Sequence, residues 1–273
     1  MKKLNIDEIK QYSFEVLCVI RDICEKHDIR YSLTGGTLIG AVRHKGFIPW
    51  DDDIDIMMPR ADYDRFISIV KQMKDLPVRI LAEEICPDDY YYAWAKACHK
   101  KTELIEKDVE QTNAKLGVYV DIFPVDGMGY KYNSAKIRTM IFQFIHGLKL
   151  SSNWTKYHRS KLRKWYYEPL RYVCYLVSKI LGKKLINRVL DRFVRKIPFE
   201  KSEYAGRLTG DFGSKEIMKK ELFDKYIKLE FEGQLFNAIE DYDTFLTSLY
   251  GDYMKLPPEE ARISHHEFEA YQV

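Results

Sequence analysis

Trp50-Asp51-Asp52-Asp53-Ile54-Asp55-Ile56-Met57-Met58 sets four aspartates within five positions against an apolar run. Aspartate is disfavoured in strands, yet Ile-Asp-Ile alternation belongs to an extended chain, in which side chains at i and i+2 share a face. Asp53 and Asp55 therefore project together while Ile54 and Ile56 pack behind them, and a strand is predicted from Asp53 to Met57. The same alternation reaches Asp51, although the turn made by Ile48-Pro49-Trp50 interrupts it. Two such carboxylates repel unless a cation lies between them, and an all-oxygen donor set suits a hard cation, Mg²⁺ first and Mn²⁺ second. The competing reading, a solvated acidic turn, sits poorly with the interleaved Ile-Ile-Met-Met, which argues for a buried strand.

Upstream, Gly35-Gly36-Thr37 separates a short strand candidate, Arg30-Tyr31-Ser32-Leu33, from a helix expected from Leu38 to His44. A glycine turn there aims backbone N–H groups and the positive end of a helix at an anion, which suits a phosphate. Arg43, His44 and Lys45 follow, either to reach donor phosphates or to form a solvated helix end. An amphipathic first helix is expected from Ile6 to about His27, its apolar residues at Ile9, Val16, Leu17, Ile20, Ile23 and Cys24.

Downstream, Ala61 to Lys74 has helical character, and Val78 to Ala82, Tyr90 to Cys98, Glu103 to Ile105 and Gly117 to Phe123 are expected to be extended. Asp121 sits in a strongly apolar strand, Val118-Tyr119-Val120-Asp121-Ile122-Phe123-Pro124, where a buried carboxylate needs a partner. A metal shared with Asp53 and Asp55 would serve, the alternative being the solvent side of an edge strand. Lys96, in Trp94-Ala95-Lys96-Ala97, is a cation in an apolar pattern and wants a phosphate or a carboxylate. Near the end come a hairpin around Phe231-Glu232-Gly233, a helix from Asp241 to Tyr250, and His265-His266, which either contact donor or metal or form an exposed tail pair.

With 46% hydrophobic and 31% charged residues the chain has the composition of a folded globular protein rather than a disordered one. The start, Met1-Lys2-Lys3-Leu4-Asn5-Ile6-Asp7-Glu8, lacks the apolar core of a secretory signal, and five dispersed cysteines suit reduced thiols better than a metal site. Net charge is only +3, but Lys131 to Lys201 carries 18 Lys+Arg against three acids while the remainder is net −12. Within that stretch, Trp154-Thr155-Lys156-Tyr157-His158-Arg159-Ser160-Lys161-Leu162-Arg163-Lys164-Trp165-Tyr166-Tyr167 interleaves cations and aromatics. Anionic lipid headgroups, a lipid-linked glycan diphosphate or nucleic acid would suit it, as would plain solvent. The organisation expected is α+β: a mixed-sheet core over 1–130, a basic, aromatic, helical insertion over 131–201, and a C-terminal segment over 202–273 that completes the core.

Gly-Gly followed by an Asp-Ile-Asp strand, with a third aspartate on a later strand, resembles the nucleotidyltransferase fold of DNA polymerase beta. The block Thr34-Gly35-Gly36-Thr37-Leu38-Ile39-Gly40-Ala41-Val42-Arg43-His44-Lys45-Gly46-Phe47-Ile48-Pro49-Trp50-Asp51-Asp52-Asp53-Ile54-Asp55 is more narrowly similar to the LicD family of bacterial phosphocholine transferases, related to fukutin-related ribitol-phosphate transferases. The likeness continues through Val120-Asp121-Ile122-Phe123-Pro124 and Tyr250-Gly251-Asp252-Tyr253-Met254 with Pro257-Pro258. The basic middle carries no matching motif.

The resemblance implies a CDP-linked donor, CDP-choline above all, bound with its pyrophosphate at Gly35, Gly36 and Thr37, with Arg43, Lys96 and His265 also on the substrate. Asp53, Asp55 and Asp121 would hold Mg²⁺, and Asp121 could accept the acceptor's proton. The acceptor implied is a sugar hydroxyl of a teichoic acid or lipopolysaccharide precursor on a lipid carrier. That places the enzyme in the cytoplasm, at the inner face of the membrane, on anionic lipid and not on nucleic acid. Choline, a quaternary ammonium, is held by aromatic faces, for which Trp50, Tyr90, Tyr91, Tyr92, Trp94 and Tyr119 are candidates. The alternatives are a nucleotidyltransferase that releases pyrophosphate, transfer of another CDP-linked group such as ribitol phosphate or glycerol phosphate, or a non-catalytic homologue that binds glycan or membrane.

Overall fold

The computed structural model describes residues 1–87, 89–90, 92–106, 114–159, 164–210, 212–262 and 268–273. In chain order its elements are β1 (Lys2–Lys3), α1 (Ile6–Lys26), β2 (Ser32–Leu33), α2 (Gly35–His44), β3 (Ile54–Pro59), α3 (Arg60–Gln72), β4 (Val78–Leu81), β5 (Ala95–His99), β6 (Thr102–Glu106) and β7 (Tyr119–Gly129). There follow α4 (Tyr132–Asn153), α5 (Glu168–Leu181), α6 (Lys183–Arg195), β8 (Tyr204–Gly206), β9 (Met218–Lys219), β10 (Tyr226–Phe231), β11 (Gln234–Ile239), α7 (Tyr242–Tyr250) and β12 (Phe268–Gln272).

The principal sheet runs β2-β3-β7-β5-β4, with β8 on β7 and β9 on β8. Only β3 and β7 are parallel; the other pairings are antiparallel. The chain is therefore α+β with a mixed sheet. Parallel strands covered on both faces tend to be apolar throughout, and Ile54, Ile56, Val120 and Ile122 are fully buried here. Helix α1 starts on a capping box, Asn5 Oδ1 accepting from Glu8 N and Glu8 answering to Asn5 N. Its predicted apolar stripe, Val16, Leu17, Ile20 and Cys24, lies in the main core.

The two-residue turn of the β10–β11 hairpin is Glu232-Gly233, with φ of 49° and 72°. Left-handed conformation at both central residues gives a turn that matches strand twist. The hairpin meets the sheet edge through Ile239 N, which donates to Ser32 Oγ at 2.9 Å. Helices α4, α5 and α6 pack on one another, and α4 and α6 also contact β7. Arg138 of α4 donates to the carbonyls of Phe193 and Val194 at 2.8 and 3.0 Å, satisfying the C-terminal end of α6.

Two local expectations are corrected. The second helix begins at Gly35 rather than Leu38, so the glycines form its first turn. The strand expected from Tyr90 is confined to Ala95–His99. Tyr90 instead closes a turn, its N–H bonded to Cys86 O and its hydroxyl donating to Trp94 O at 2.8 Å. Aromatic enrichment there reflects packing of a loop onto the sheet.

Candidate active site

The parallel pairing of β3 with β7 puts Asp55 directly beside Asp121. The first turn of α2 is clamped onto the same strand: Asp55 N donates to Thr37 Oγ1 at 2.8 Å, and Thr34 N donates to Asp55 O at 3.1 Å. Gly35, at φ +57°, lies so close that a Cβ on it would stand 3.0 Å from Asp55 Oδ2 and 3.8 Å from the Tyr250 hydroxyl. A Cβ on Gly36 would overlap Asp51 Oδ2. Gly35 is held to glycine by its left-handed φ, a side chain at Gly36 would have to displace the Asp51 carboxylate, and the N-terminal end of a ten-residue helix faces these carboxylates.

Asp121 is almost buried and has protein partners of its own. Trp94 Nε1 donates to its Oδ1 at 2.9 Å, and Lys96 Nζ stands 2.8 Å from Oδ1 and 3.1 Å from Oδ2. Lys96 is 2% exposed, and its ammonium lies 3.5, 4.7 and 5.9 Å from the ring centres of Tyr119, Tyr92 and Trp94. Three of the aromatics considered for choline thus already surround a lysine. The partner that buried Lys96 needed is the Asp121 carboxylate.

Burial pushes the Asp55 carboxyl up to about 7, and the neighbouring Asp121 and Asp51 charges add to the rise, against the opposing Arg207 guanidinium. Arg207 is itself buried and held by Glu216 in a bidentate pair, Nε to Oε2 at 3.1 Å and Nη2 to Oε1 at 2.8 Å. Tyr250 completes this side; burial pushes its phenol up, with Asp55 and Asp51 acting in the same direction. One carboxylate oxygen each from Asp51, Asp52 and Asp53 lies within 4.8 Å of the others. Asp53 therefore groups with Asp51 and Asp52, and Asp51 links that group to Asp55 through the glycine turn.

Arg43 is not brought to the glycines. At ~1.5 Å per residue it lies about 12 Å along α2 from Gly35, with Nη1 donating to Tyr253 O at 2.8 Å and Nε to His44 Nε2 at 2.9 Å. It ties the helix end to the C-terminal segment. His265 and Tyr91 lie outside the described residues. The sequence reading missed Arg207, Glu216 and the role of Trp94. Tyr250 stood in the matching C-terminal motif, but no pattern marked Arg207 or Glu216, which pair where β9 folds back on β8 and reach the site because β8 returns to β7.

Beside this cluster is a cavity of about 380 Å³ walled by Tyr63, Tyr92, Trp94 and Phe142, with Arg60 and Lys149 among its cations. Arg60 is paired with Asp126 at 2.7 and 3.1 Å, and Lys149 with Glu83. Thr209 Oγ1, also on the wall, is buried without a hydrogen-bond partner among the described residues.

Residues 28–180 match the family model described as LicD/FKTN/FKRP, nucleotidyltransferase domain. The chain is 35% identical over 278 aligned positions to the lipopolysaccharide cholinephosphotransferase LicD of Haemophilus influenzae, covering 99% of both proteins. An uncharacterized protein of Rickettsia typhi is 38% identical over 86 residues, which is 31% of this chain and 28% of that protein. A Rickettsia prowazekii counterpart is 36% identical over 77 residues, 28% and 29% of the two chains. The aligned block takes in the glycine turn, the aspartate strand and Asp121, and this chain belongs to the LicD family.

Proposed function

We propose that the protein transfers phosphocholine from CDP-choline to a sugar hydroxyl of a lipopolysaccharide-type glycan precursor and releases CMP. The observation that carries this reading is the Asp55–Asp121 pair against the Gly35-Gly36 turn, in a chain similar along its length to a named cholinephosphotransferase. The family description supports a nucleotidyltransferase-type core, like that of DNA polymerase beta.

Asp55 and Asp121 side by side, with Asp51 at the glycine turn and Asp53 grouped with Asp51, offer only carboxylate oxygen and would suit Mg²⁺ or Mn²⁺. A carboxyl lifted to about 7 by burial and by the Asp121 and Asp51 charges beside it marks a place where positive charge is wanted. When bound there, the ion would neutralise charge on the transferring phosphate and the leaving group. The N–H groups of the first turn of α2 would receive the pyrophosphate. The acceptor oxygen forms a bond to the phosphorus bearing choline as the anhydride P–O bond breaks, and the electron pair leaves on CMP. The hydroxyl proton needs a base. Asp55 and Asp121, side by side at the Gly35-Gly36 turn, are the carboxylates placed to accept it.

The trimethylammonium group suits the cavity beside Trp94, whose wall carries Tyr63, Tyr92, Trp94 and Phe142. The reading is tested by incubating the purified protein with an acceptor glycan and, in turn, CDP-choline, CDP-ribitol, CDP-glycerol or a nucleoside triphosphate, with Mg²⁺ or with EDTA. CMP release from CDP-choline that EDTA stops is the expected result. Pyrophosphate from a triphosphate, or preference for another CDP-linked donor, would replace this reading.

A further inference from the structure

The helical unit α4–α6 exposes an amount of apolar surface that water does not explain. On α4, Ile137, Met140, Ile141 and Phe144 are all exposed, Met140 at 71%. They recur at i, i+3, i+4 and i+7 and so share one helix face, opposite the Arg138 and Phe142 face that is buried. On α5, Leu170, Val173, Leu176 and Ile180 form a second such row, with Ile180 83% exposed. Leu185 and Val189 add a one-turn pair on α6. Immediately before α5, Trp165 is 82% exposed, with Tyr166 and Tyr167 beside it. Isolated exposed apolar residues are ordinary; whole helix faces in one packed unit mark an interaction surface.

The charge around this surface selects the occupant. Residues 131–201 hold 18 Lys+Arg against three acids, and Lys136, Lys164, Lys184, Arg188 and Arg192 are exposed among the apolar rows. Two copies of the chain meeting here would bring like charge against like charge. Nucleic acid would meet the cations but would leave Ile, Leu, Val and Met rows uncovered. A bilayer with anionic headgroups satisfies both: aliphatic side chains enter the acyl boundary, Trp and Tyr sit at headgroup level, and Lys and Arg reach the lipid phosphates. No described helix is long and apolar enough to cross a membrane, so the contact lies in the interface plane.

We propose that the outward faces of α4, α5 and α6, with Trp165 just ahead of α5, form a peripheral docking surface for an anionic lipid bilayer. The inference stands on exposure and charge alone and holds whichever group the enzyme transfers.

Sedimentation of the full chain with vesicles tests it. The protein should pellet with vesicles of phosphatidylglycerol and phosphatidylcholine, and weakly with phosphatidylcholine alone. Trp165→Glu/Ile180→Glu, at positions too exposed to hold the core, should cut binding to the anionic vesicles by roughly tenfold or more. Lys184→Glu/Arg188→Glu should abolish the preference for anionic lipid. CMP release from CDP-choline in detergent-free solution should stay unchanged in both variants, separating this surface from the chemistry. The proposal is overturned if the wild type ignores anionic vesicles or if Trp165→Glu/Ile180→Glu binds them as well as wild type. It is equally overturned if that variant turns a solution dimer into a monomer, which would make the face a self-interface.

Discussion

Asp55 is where fold and chemistry meet at the scale of one residue. Its carboxyl is raised from 3.8 to about 7, first by burial and then by Asp121. The folded state therefore binds a proton more tightly than the unfolded chain does. The resulting stability is fully present below the ordinary carboxyl value and is lost as pH rises through about 7. The thermal midpoint of the metal-free protein should fall over that window, and Asp55→Asn, which cannot titrate, should flatten the slope. Mg²⁺ added near neutral pH should restore part of the loss in the wild type, because it binds the ionised folded site. An unaltered slope in Asp55→Asn would move the titrating group elsewhere. Gly36 makes a second residue-scale prediction. A methyl there displaces the Asp51 carboxylate, and a shift of that size near reacting groups lowers turnover by about a hundredfold. Gly36→Ala should fold normally, with its loss visible in CMP release. Full activity in that variant would mean that Asp51 does not matter.

At the scale of elements, the site is a strand pair with a helix start pressed onto it. The strand was legible in the sequence because Ile54, Asp55 and Ile56 obey period-two alternation, but Asp53, expected to share a face with Asp55, falls before the strand and groups with Asp51 and Asp52. Lys96 announced a need for an opposite charge, and the antiparallel pairing of β5 with β7 sets it beside Asp121. Arg43 could not be placed in that way. Closeness in sequence to Gly35 becomes distance along a helix, and its contact with Tyr253 is made by a segment 210 residues later. Arg207 and Glu216 lie only nine residues apart and meet where β9 folds back on β8, but what brings Arg207 to Asp55 is the long-range pairing of β8 with β7, which no local pattern marks. Glu216→Gln would leave the Arg207 guanidinium buried without its counter-charge, and breaking such a pair by removing one partner costs about 3–5 kcal/mol. Urea unfolding should report a loss of that order, whereas Arg43→Gln should leave the KM for CDP-choline unchanged. A rise in that KM would return Arg43 to the donor site.

Over the whole molecule, the acidic site and the basic helical unit divide the charge. The asymmetry was visible in composition, but the exposed apolar faces were not, because an amphipathic helix does not reveal which of its sides the fold will cover. α4 buries Phe142 and exposes Met140 two residues away, a choice made by α6 and β7 rather than by α4. Between these halves lies the cavity lined by Trp94, whose indole N–H also donates to Asp121. Trp94→Leu should raise the KM for CDP-choline by about tenfold or more through loss of an aromatic face, and should do so less for a CDP-linked donor without the quaternary ammonium. Equal effects on both donors would place choline elsewhere. The most direct test of the whole account is the anomalous scattering of Mn²⁺ in crystals grown with CDP-choline. The account predicts a peak between the Asp55 and Asp121 carboxylates beside the Gly35-Gly36 turn, with the donor pyrophosphate against it. Bound donor with no peak there, or a peak in another part of the molecule, would contradict it.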